Sequence, residues 1–307
     1  MVFTVGLAGI TGKFGRLLAS KLIQKPDVIV RGYCRDPKKV ITPLSSSSQV
    51  QLFQGGAYDT DRIRAFVRGC DVVICSYLGD DQLLIEGQKK LIDACEAEGV
   101  PRYIASDWCL DYTKLEFGDL FPKDPMKHVK AYLEDQTTVK GVHILIGGFM
   151  DTMMSPYFQL FDPSTYTFRY WGEGSEPWEN TSYENAAEFT AAVATDPLAV
   201  GKQKFVGDKR SIKGIADIFE TVYGVKPNLE RQGSLEDLKS TMHELRAMYP
   251  NDPSKYLAMF YKYYMTNGQA YVASDMENLK YPGIKPITWE DFMRSHSIQE
   301  LAGVYVS

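Results

Sequence analysis

The stretch Thr4 to Gly15, TVGLAGITGKFG, constrains this chain more than any other. A short apolar run, Phe3 to Ala8, leads into Gly9, Gly12 and Gly15. A segment follows with Phe14, Leu17, Leu18 and Leu22 at helical spacing, and it stops at Lys25-Pro26. Strand, glycine turn and helix in that order form the first step of a βαβ unit that binds a dinucleotide. The glycines let the backbone turn tightly and approach a pyrophosphate, whose charge meets the N–H groups of the helix start. The spacing is GxxGxxG, not GxGxxG, so the motif takes its weight from the strand before it and the helix after it. A bare structural turn is the competing reading.

The pattern repeats downstream. Apolar runs rich in β-branched residues fall at Asp27 to Cys34, Val50 to Gln54, Asp71 to Leu78, Pro101 to Ser106 and Val142 to Gly148. Helical stretches lie near Asp61 to Arg68, Gln82 to Ala97 and Met126 to Val139. Near-continuous apolar strands alternating with helices imply a parallel sheet covered on both faces. Its strands end at one edge, where such sheets bind ligands, so the residues after them matter most: Arg35, Gly56, Tyr77, Asp107 and Phe149. Beyond Asp151 the pattern loosens. Thr165 to Gly172 reads as a strand and Lys204 to Gly207 as a short one. Asn185 to Asp196, Ser211 to Tyr223, Ser234 to Tyr249, Pro253 to Met265 and Trp289 to His296 read as helices. The expected architecture is α/β: a Rossmann-type doubly wound parallel sheet over residues 1–150. A smaller, mostly helical substrate domain follows over residues 151–307, and some of its segments return to the sheet.

Composition removes several classes. A chain of 307 residues, 44% hydrophobic and 24% charged, buries an ordinary globular core. A net charge of −5 with no basic run argues against a nucleic-acid surface. The five cysteines, Cys34, Cys70, Cys75, Cys95 and Cys109, include two in predicted buried strands, which reads as reduced thiols. None has the spacing of a metal site. Lys13 and Arg16 interrupt the first apolar stretch, so no signal peptide is expected, and no run reaches membrane-spanning length. A cytoplasmic protein is the expectation.

Arg35 stands where the second strand ends. An acidic residue there accepts from the ribose hydroxyls of NAD, whereas an arginine pairs with a 2′-phosphate, and Lys38 and Lys39 add positive charge. NADP(H) is therefore favoured over NAD, against the alternative of a solvated turn.

The segments GITGKFG, CRDPKKV, QGGAYD, YIASDW, MKHVKAYLED, GGFMD and ITWEDFMRSH, in that order, resemble the NmrA-like and isoflavone-reductase-like proteins, which are atypical short-chain dehydrogenases/reductases. The resemblance covers most of the chain. It implies a Rossmann fold with a small C-terminal substrate domain and bound NADP(H). The family contains both reductases and redox-sensing regulators. By position it implies a pyrophosphate turn of Gly9, Thr11, Gly12, Phe14 and Gly15, with Arg35 and Lys39 at the 2′-phosphate. Gly56 and Ala57 replace the family's acidic residue after the third strand, leaving the adenine to backbone atoms. Ser76, Tyr77 and Leu78 then lie beside the ribose, and Ser106, Gly148 and Phe149 near the nicotinamide.

The departure concerns catalysis. The family reads Lys-x-x-Val-x-x-Tyr on the helix after the fifth strand. Val129, Tyr132 and Leu133 keep that register here, but Met126 holds the lysine position. Lys127 is displaced by about 100° around the helix, whereas Lys130 lies one turn along the same face. Both also fit the solvated side of an amphipathic helix. His128 beside them has no better claim as a proton donor. Asp107, after the fifth strand, suits a partly desolvated general acid or a turn cap. Asp151 has similar standing.

The expected substrate-lining residues are Trp108, Met126, Met150, Asp151, Met154 and Trp171, with Met153 and Trp178 adding soft or flat surface. Tyr256, Phe260, Tyr263 and Tyr264, at helical spacing, read as core. The function implied is NADP(H)-dependent hydride transfer to or from a bulky aromatic or heterocyclic small molecule. The alternatives are a redox sensor that engages a protein partner and a cofactor-assisted cyclase with no net redox change.

Overall fold

The computed structural model describes residues 2–272 and 275–303. By contact the chain forms two compact units. The first comprises Met1–Trp108, Pro122–Leu145 and Ala186–Gln203, and the second Cys109–Phe121, Ile146–Asn185 and Lys204–Ser307.

The first unit holds the sheet. Strands β1 (Phe3–Ala8), β2 (Val28–Cys34), β3 (Val50–Gln54), β4 (Val72–Cys75), β5 (Arg102–Ile104) and β6 (Lys140–Leu145) alternate with α1 (Lys13–Leu22), α2 (Thr60–Val67), α3 (Gln88–Glu98) and α4 (Asp124–Glu134). A π-helical turn, Leu83–Gly87, leads into α3. Among the described residues the sheet has seven strands in the order β11-β6-β5-β4-β1-β2-β3, where β11 is Gly201–Lys204. Every pairing from β3 across to β6 is parallel. The chain walks outward from β1 to β3, then returns to place β4 on the other side of β1. The order reverses between β1 and β4, and that reversal opens a crevice at the carboxyl ends of the strands.

The strands form as the sequence predicts because both faces are covered. All four residues of β4 are buried, and Ile63, Phe66, Leu91, Ile92 and Val129 from the flanking helices pack with Val73, Cys75 and Tyr103. The chain rejoins this unit late, through most of α6 (Tyr183–Thr195) and β11. Arg102 on β5 secures that return. Its guanidinium is buried and donates to the carbonyls of Val193 and Ala194 at 3.0 and 2.6 Å in the last turn of α6, where Val193 also accepts from the Asp196 amide at 3.2 Å.

Among the described residues the second unit is helical with two small sheets. One has the order β12-β10-β7 (Asp208–Ser211, Pro177–Thr181, Gly148–Phe149) and the other β13-β9-β8 (Asn228–Gly233, Thr167–Trp171, Phe161–Asp162). The helices are α5 (Met150–Met153), α7 (Ile212–Tyr223), α8 (Leu235–Met248), α9 (Leu257–Thr266), α10 (Trp289–Arg294) and α11 (Ile298–Leu301). Its core gathers Phe168, Phe219, Phe260, Trp289 and Met242, all fully enclosed. The aromatic stripe of Tyr256, Phe260, Tyr263 and Tyr264 belongs to that core, as its helical spacing indicates. The short strand expected at Lys204 to Gly207 is displaced. Lys204 ends β11, while the amide of Val206 donates to Asn278 Oδ1 and that of Gly207 to the Asn180 carbonyl, so these residues join no ladder.

Replacing Arg102 by Met should lower stability by about 2–4 kcal/mol, because it removes the buried guanidinium's bonds to the end of α6 and leaves the Ala194 carbonyl without its donor. Urea denaturation of the variant beside wild type measures this, and an unchanged midpoint contradicts the assignment.

Candidate active site

The glycine turn sits at the reversal point of the sheet. Gly9 has φ 89°, and a Cβ there meets the Ser76 carbonyl oxygen at 2.8 Å. At Gly15 a Cβ meets the Gly9 carbonyl oxygen at 2.3 Å and Ser76 Oγ at 2.9 Å. These two glycines are required by packing, since α1 starts in contact with the turn and with Ser76, the residue after β4. Gly12 differs, for its only close neighbour is the Gly9 oxygen at 3.3 Å, and it is exposed. As the N-cap of α1 it supplies no side-chain acceptor, so the helix start keeps its donors for an anion. Ser76 closes the crevice floor. Its amide donates to the Ala8 carbonyl at 2.9 Å, and its hydroxyl donates to the carbonyls of Ala8 and Gly9 at 3.1 and 3.2 Å. A cradle that one Cβ fills, beside an uncapped helix start, fits a dinucleotide pyrophosphate. Thr11 and Phe14 flank it.

At the end of β2, Arg35 and Lys39 are exposed and make no ion pair or side-chain hydrogen bond among the described residues. Asp36 Oδ1 accepts from the Lys38 amide at 3.1 Å, capping a 3-10 turn over Pro37–Lys39 that holds both cations on one short loop. After β3, the Tyr33 hydroxyl donates to the Gly56 carbonyl at 2.8 Å. That same hydroxyl lies 2.1 Å from where a Cβ on Gly55 stands, whereas a Cβ on Gly56 meets nothing within 4 Å. Tyr33 thus shapes the backbone at Gly55 and Gly56.

The remaining strand ends are joined by polar groups. Ser106 Oγ donates to the Tyr77 carbonyl at 2.8 Å, and its amide donates to Gln88 Oε1 at 3.1 Å. Tyr103 donates to the same Gln88 oxygen at 3.2 Å. Burial raises the Tyr77 phenol well above its ordinary pKa, so it stays protonated, and its hydroxyl lacks a partner. Leu78 is 86% exposed. Asp107 faces inward. Its Oδ2 lies 2.7 Å from His143 Nδ1 on β6, both side chains are buried, and Oδ1 is enclosed without a partner. Sequence reasoning missed His143, because a lone histidine inside the apolar run VHILI reads as core. It also missed Gln88, which sits in an amphipathic helix with no local signal. The turn cap considered for Asp107 is supplied by Asp111, which accepts from the Thr113 amide.

Trp108 has φ 33°, a left-handed conformation that costs a bulky residue of order 1–3 kcal/mol. Its indole donates to Thr190 Oγ1 at 2.9 Å, and the Phe14 ring lies against it at 4.5 Å. On α4, Met126 is buried. Lys127 pairs with Asp124 at 3.1 Å, and Lys130 pairs with Glu134 one turn along. His128 is exposed.

The other expected site residues lie in the second unit. Gly148 and Phe149 form β7, and the Phe149 ring packs 4.2 Å from that of Tyr183. Asp151 Oδ2 accepts from the Tyr183 amide at 2.9 Å, at the start of α6. Met150 and Met154 are fully buried in the core beside Phe158 and Trp178. Trp171 is half-buried, and its indole nitrogen has no acceptor. Among the described residues no group of His, Cys, Asp or Glu is arranged to hold a metal, and no helix is long and apolar enough to cross a membrane.

A family model described as the NmrA-like family matches residues 3–293. The chain belongs to that family. It is 24% identical over 287 residues to an isoflavone reductase of Glycine max, covering 86% of this chain and 84% of the relative. It is 30% identical over 83 residues to an oxidoreductase of Pestalotiopsis microspora, but that stretch is 26% of this chain and 32% of the relative's length. Among solved structures, a complex with NADP+ and (+)-pinoresinol superposes with a TM-score of 0.80 at 16% identity, covering 96% of this chain and 99% of the other. At that identity the likeness establishes the NmrA-like fold and nothing further.

The unequal roles of the glycines are testable. Gly15→Ala should destabilise the chain by about 1–3 kcal/mol through overpacking, and Gly12→Ala by less than about 1 kcal/mol. Equal losses in thermal or urea unfolding contradict the geometry.

Proposed function

We propose that this chain is an NADP(H)-dependent reductase that acts on a bulky aromatic or heterocyclic small molecule. The observation that carries the reading is the pairing of a Cβ-less cradle at Gly9, Gly12 and Gly15 with two uncommitted cations, Arg35 and Lys39, at the end of the neighbouring strand. An anionic pyrophosphate suits the first and a 2′-phosphate the second. Membership of the NmrA-like family and the likeness to an isoflavone reductase support the same reading. NADPH, when bound, supplies the hydride. This chain's residues bind it, exclude water and provide a proton. Trp108, stiffened by Thr190 and Phe14, offers a flat apolar surface, and Met126 of the same unit is a further candidate for the substrate lining.

NADPH should bind more tightly than NADH by at least about tenfold, since each charge-assisted pair to the 2′-phosphate is worth about 1.5–3 kcal/mol. Arg35→Ala should remove most of that preference. Fluorescence titration of both nucleotides measures it, and equal affinities in the wild type sink the cofactor assignment.

The proton source we assign is Lys130. Glu134, its partner, has 63% of its side chain exposed, so that ion pair is weak and the amine is readily released. Lys127 is more enclosed, with 10% side-chain exposure, and is tied to Asp124 in the first turn of its own helix. Lys130→Met should cut turnover roughly 10²–10⁴-fold with NADPH affinity intact, and Lys127→Met should be nearly neutral. A loss confined to Asp107→Asn moves the role to the Asp107–His143 pair instead.

A further inference from the structure

Lys262 on α9 is 5% exposed, in a helix whose other buried positions are Phe260, Tyr263, Tyr264, Met265 and Thr266. Its Nζ makes no ion pair and no hydrogen bond among the described residues, and it stands 5.9 Å from the centre of the Phe158 ring. Phe158 is itself buried and packs edge-on against Trp178, with ring centres 6.3 Å apart. An ammonium taken out of water without a counter-ion is costly, and a fold that needs only packing there accepts a leucine or methionine at no such cost. Trp171 lies two residues from Arg169, on the same face of β9, and is a second donor in this unit without an acceptor.

The charges around Lys262 leave it unanswered. Arg169 on β9 is near enough to repel it, and burial with that repulsion lowers its pKa to about 8. The carboxylates of Asp162 and Glu230 are engaged by Arg169 at 3.2 and 3.1 Å. On α8, Lys239 stands over the Tyr263 ring and His243 packs on Phe260. Glu179 on β10 is committed to Lys209 and to the Val272 amide. Lys255, in the 3-10 turn before α9, is exposed. Tyr264 on α9 stays protonated, its phenol raised by burial and by Asp119.

We propose that Lys262, with Phe158 beside it, is an anion subsite for an aromatic ligand, its ammonium pairing with a carboxylate or phenolate oxygen while the ligand's ring packs on the phenyl face. The proposal concerns ligand binding by this unit alone and does not depend on the reductase reading.

The probe is 2-naphthoate, titrated by fluorescence into the full chain without nucleotide, with neutral 2-naphthalenemethanol as control. Naphthoate should bind the wild type at least about tenfold more tightly than the alcohol at pH 7. Its affinity should fall about tenfold or more between pH 7 and 9.5, as the amine loses its proton. Lys262→Met should abolish the preference for the anion. Lys262→Arg should keep the preference and remove the pH dependence, a result that stands even if the methionine variant folds poorly. No naphthoate binding by the wild type, unchanged binding by Lys262→Met, or a flat pH profile each overturns the proposal. Failure of the chain to bind NADPH while naphthoate still binds counts against the reductase reading alone.

Discussion

The hydroxyl of Ser76, donating to the carbonyls of Ala8 and Gly9, is the contact on which the nucleotide-binding half depends. It holds the end of β4 against the end of β1 at the point where the strand order reverses. Helix α1 then has to begin within a carbon's width of the same turn, which only Gly15 permits. With Gly9 in a positive-φ conformation, the backbone bends away from the sheet and directs the helix start into the crevice. One small polar side chain and two missing methyl groups thus decide where an anion can sit.

The rest of the carboxyl edge is stitched by similar means. Ser106 ties the end of β5 to Tyr77, two residues past β4, Gln88 receives both Ser106 and Tyr103, and Asp107 meets His143 from β6. Buried polar groups of this kind are expensive unless satisfied, and satisfied ones fix a single arrangement. Two atoms escape that satisfaction, Asp107 Oδ1 and the Tyr77 hydroxyl, and both belong to residues that follow strands at this edge. The left-handed backbone of Trp108 adds conformational strain beside them, the kind of feature that accumulates where binding geometry outranks stability.

The second unit solves a different problem. Its two three-stranded sheets and its helices close over a core of aromatic rings, with Phe219 touching Phe161, Phe168 and Tyr223. Rings supply large buried area at low entropic cost, and within that setting a lone ammonium is conspicuous. Lys262 is the group that aromatic packing does not account for.

Much of the first unit was legible in the chain itself. The strands from Phe3 to Leu145 announce themselves as buried apolar runs, and β1 and β3 have the expected bounds to the residue. The glycine turn and the cations after β2 follow from local spacing, because a parallel sheet imposes a repeated local pattern. The aromatic stripe on α9 was readable for the same reason, as a helix buries one face at fixed intervals. What the sequence could not determine are the choices made between distant segments. Spacing alone does not distinguish Gly12 from Gly15, since the difference lies in how near the folded turn brings the Gly9 carbonyl, 2.3 Å from a Cβ at Gly15 against 3.3 Å at Gly12, with the distant Ser76 hydroxyl as a second contact at 2.9 Å for Gly15 alone. Nothing local marks His143 as the partner of Asp107, Tyr33 as the group that shapes Gly55 and Gly56, or Arg102 as the anchor of α6. The strands β7, β8, β10, β12 and β13 went unseen because they are only two residues long or, as in Asp208–Ser211 and Asn228–Gly233, largely polar, and for all but β8 pairing with a segment well removed in the chain is what makes them strands. Lys262 looks like any lysine on a helix until tertiary packing removes its water and gives it no carboxylate in return.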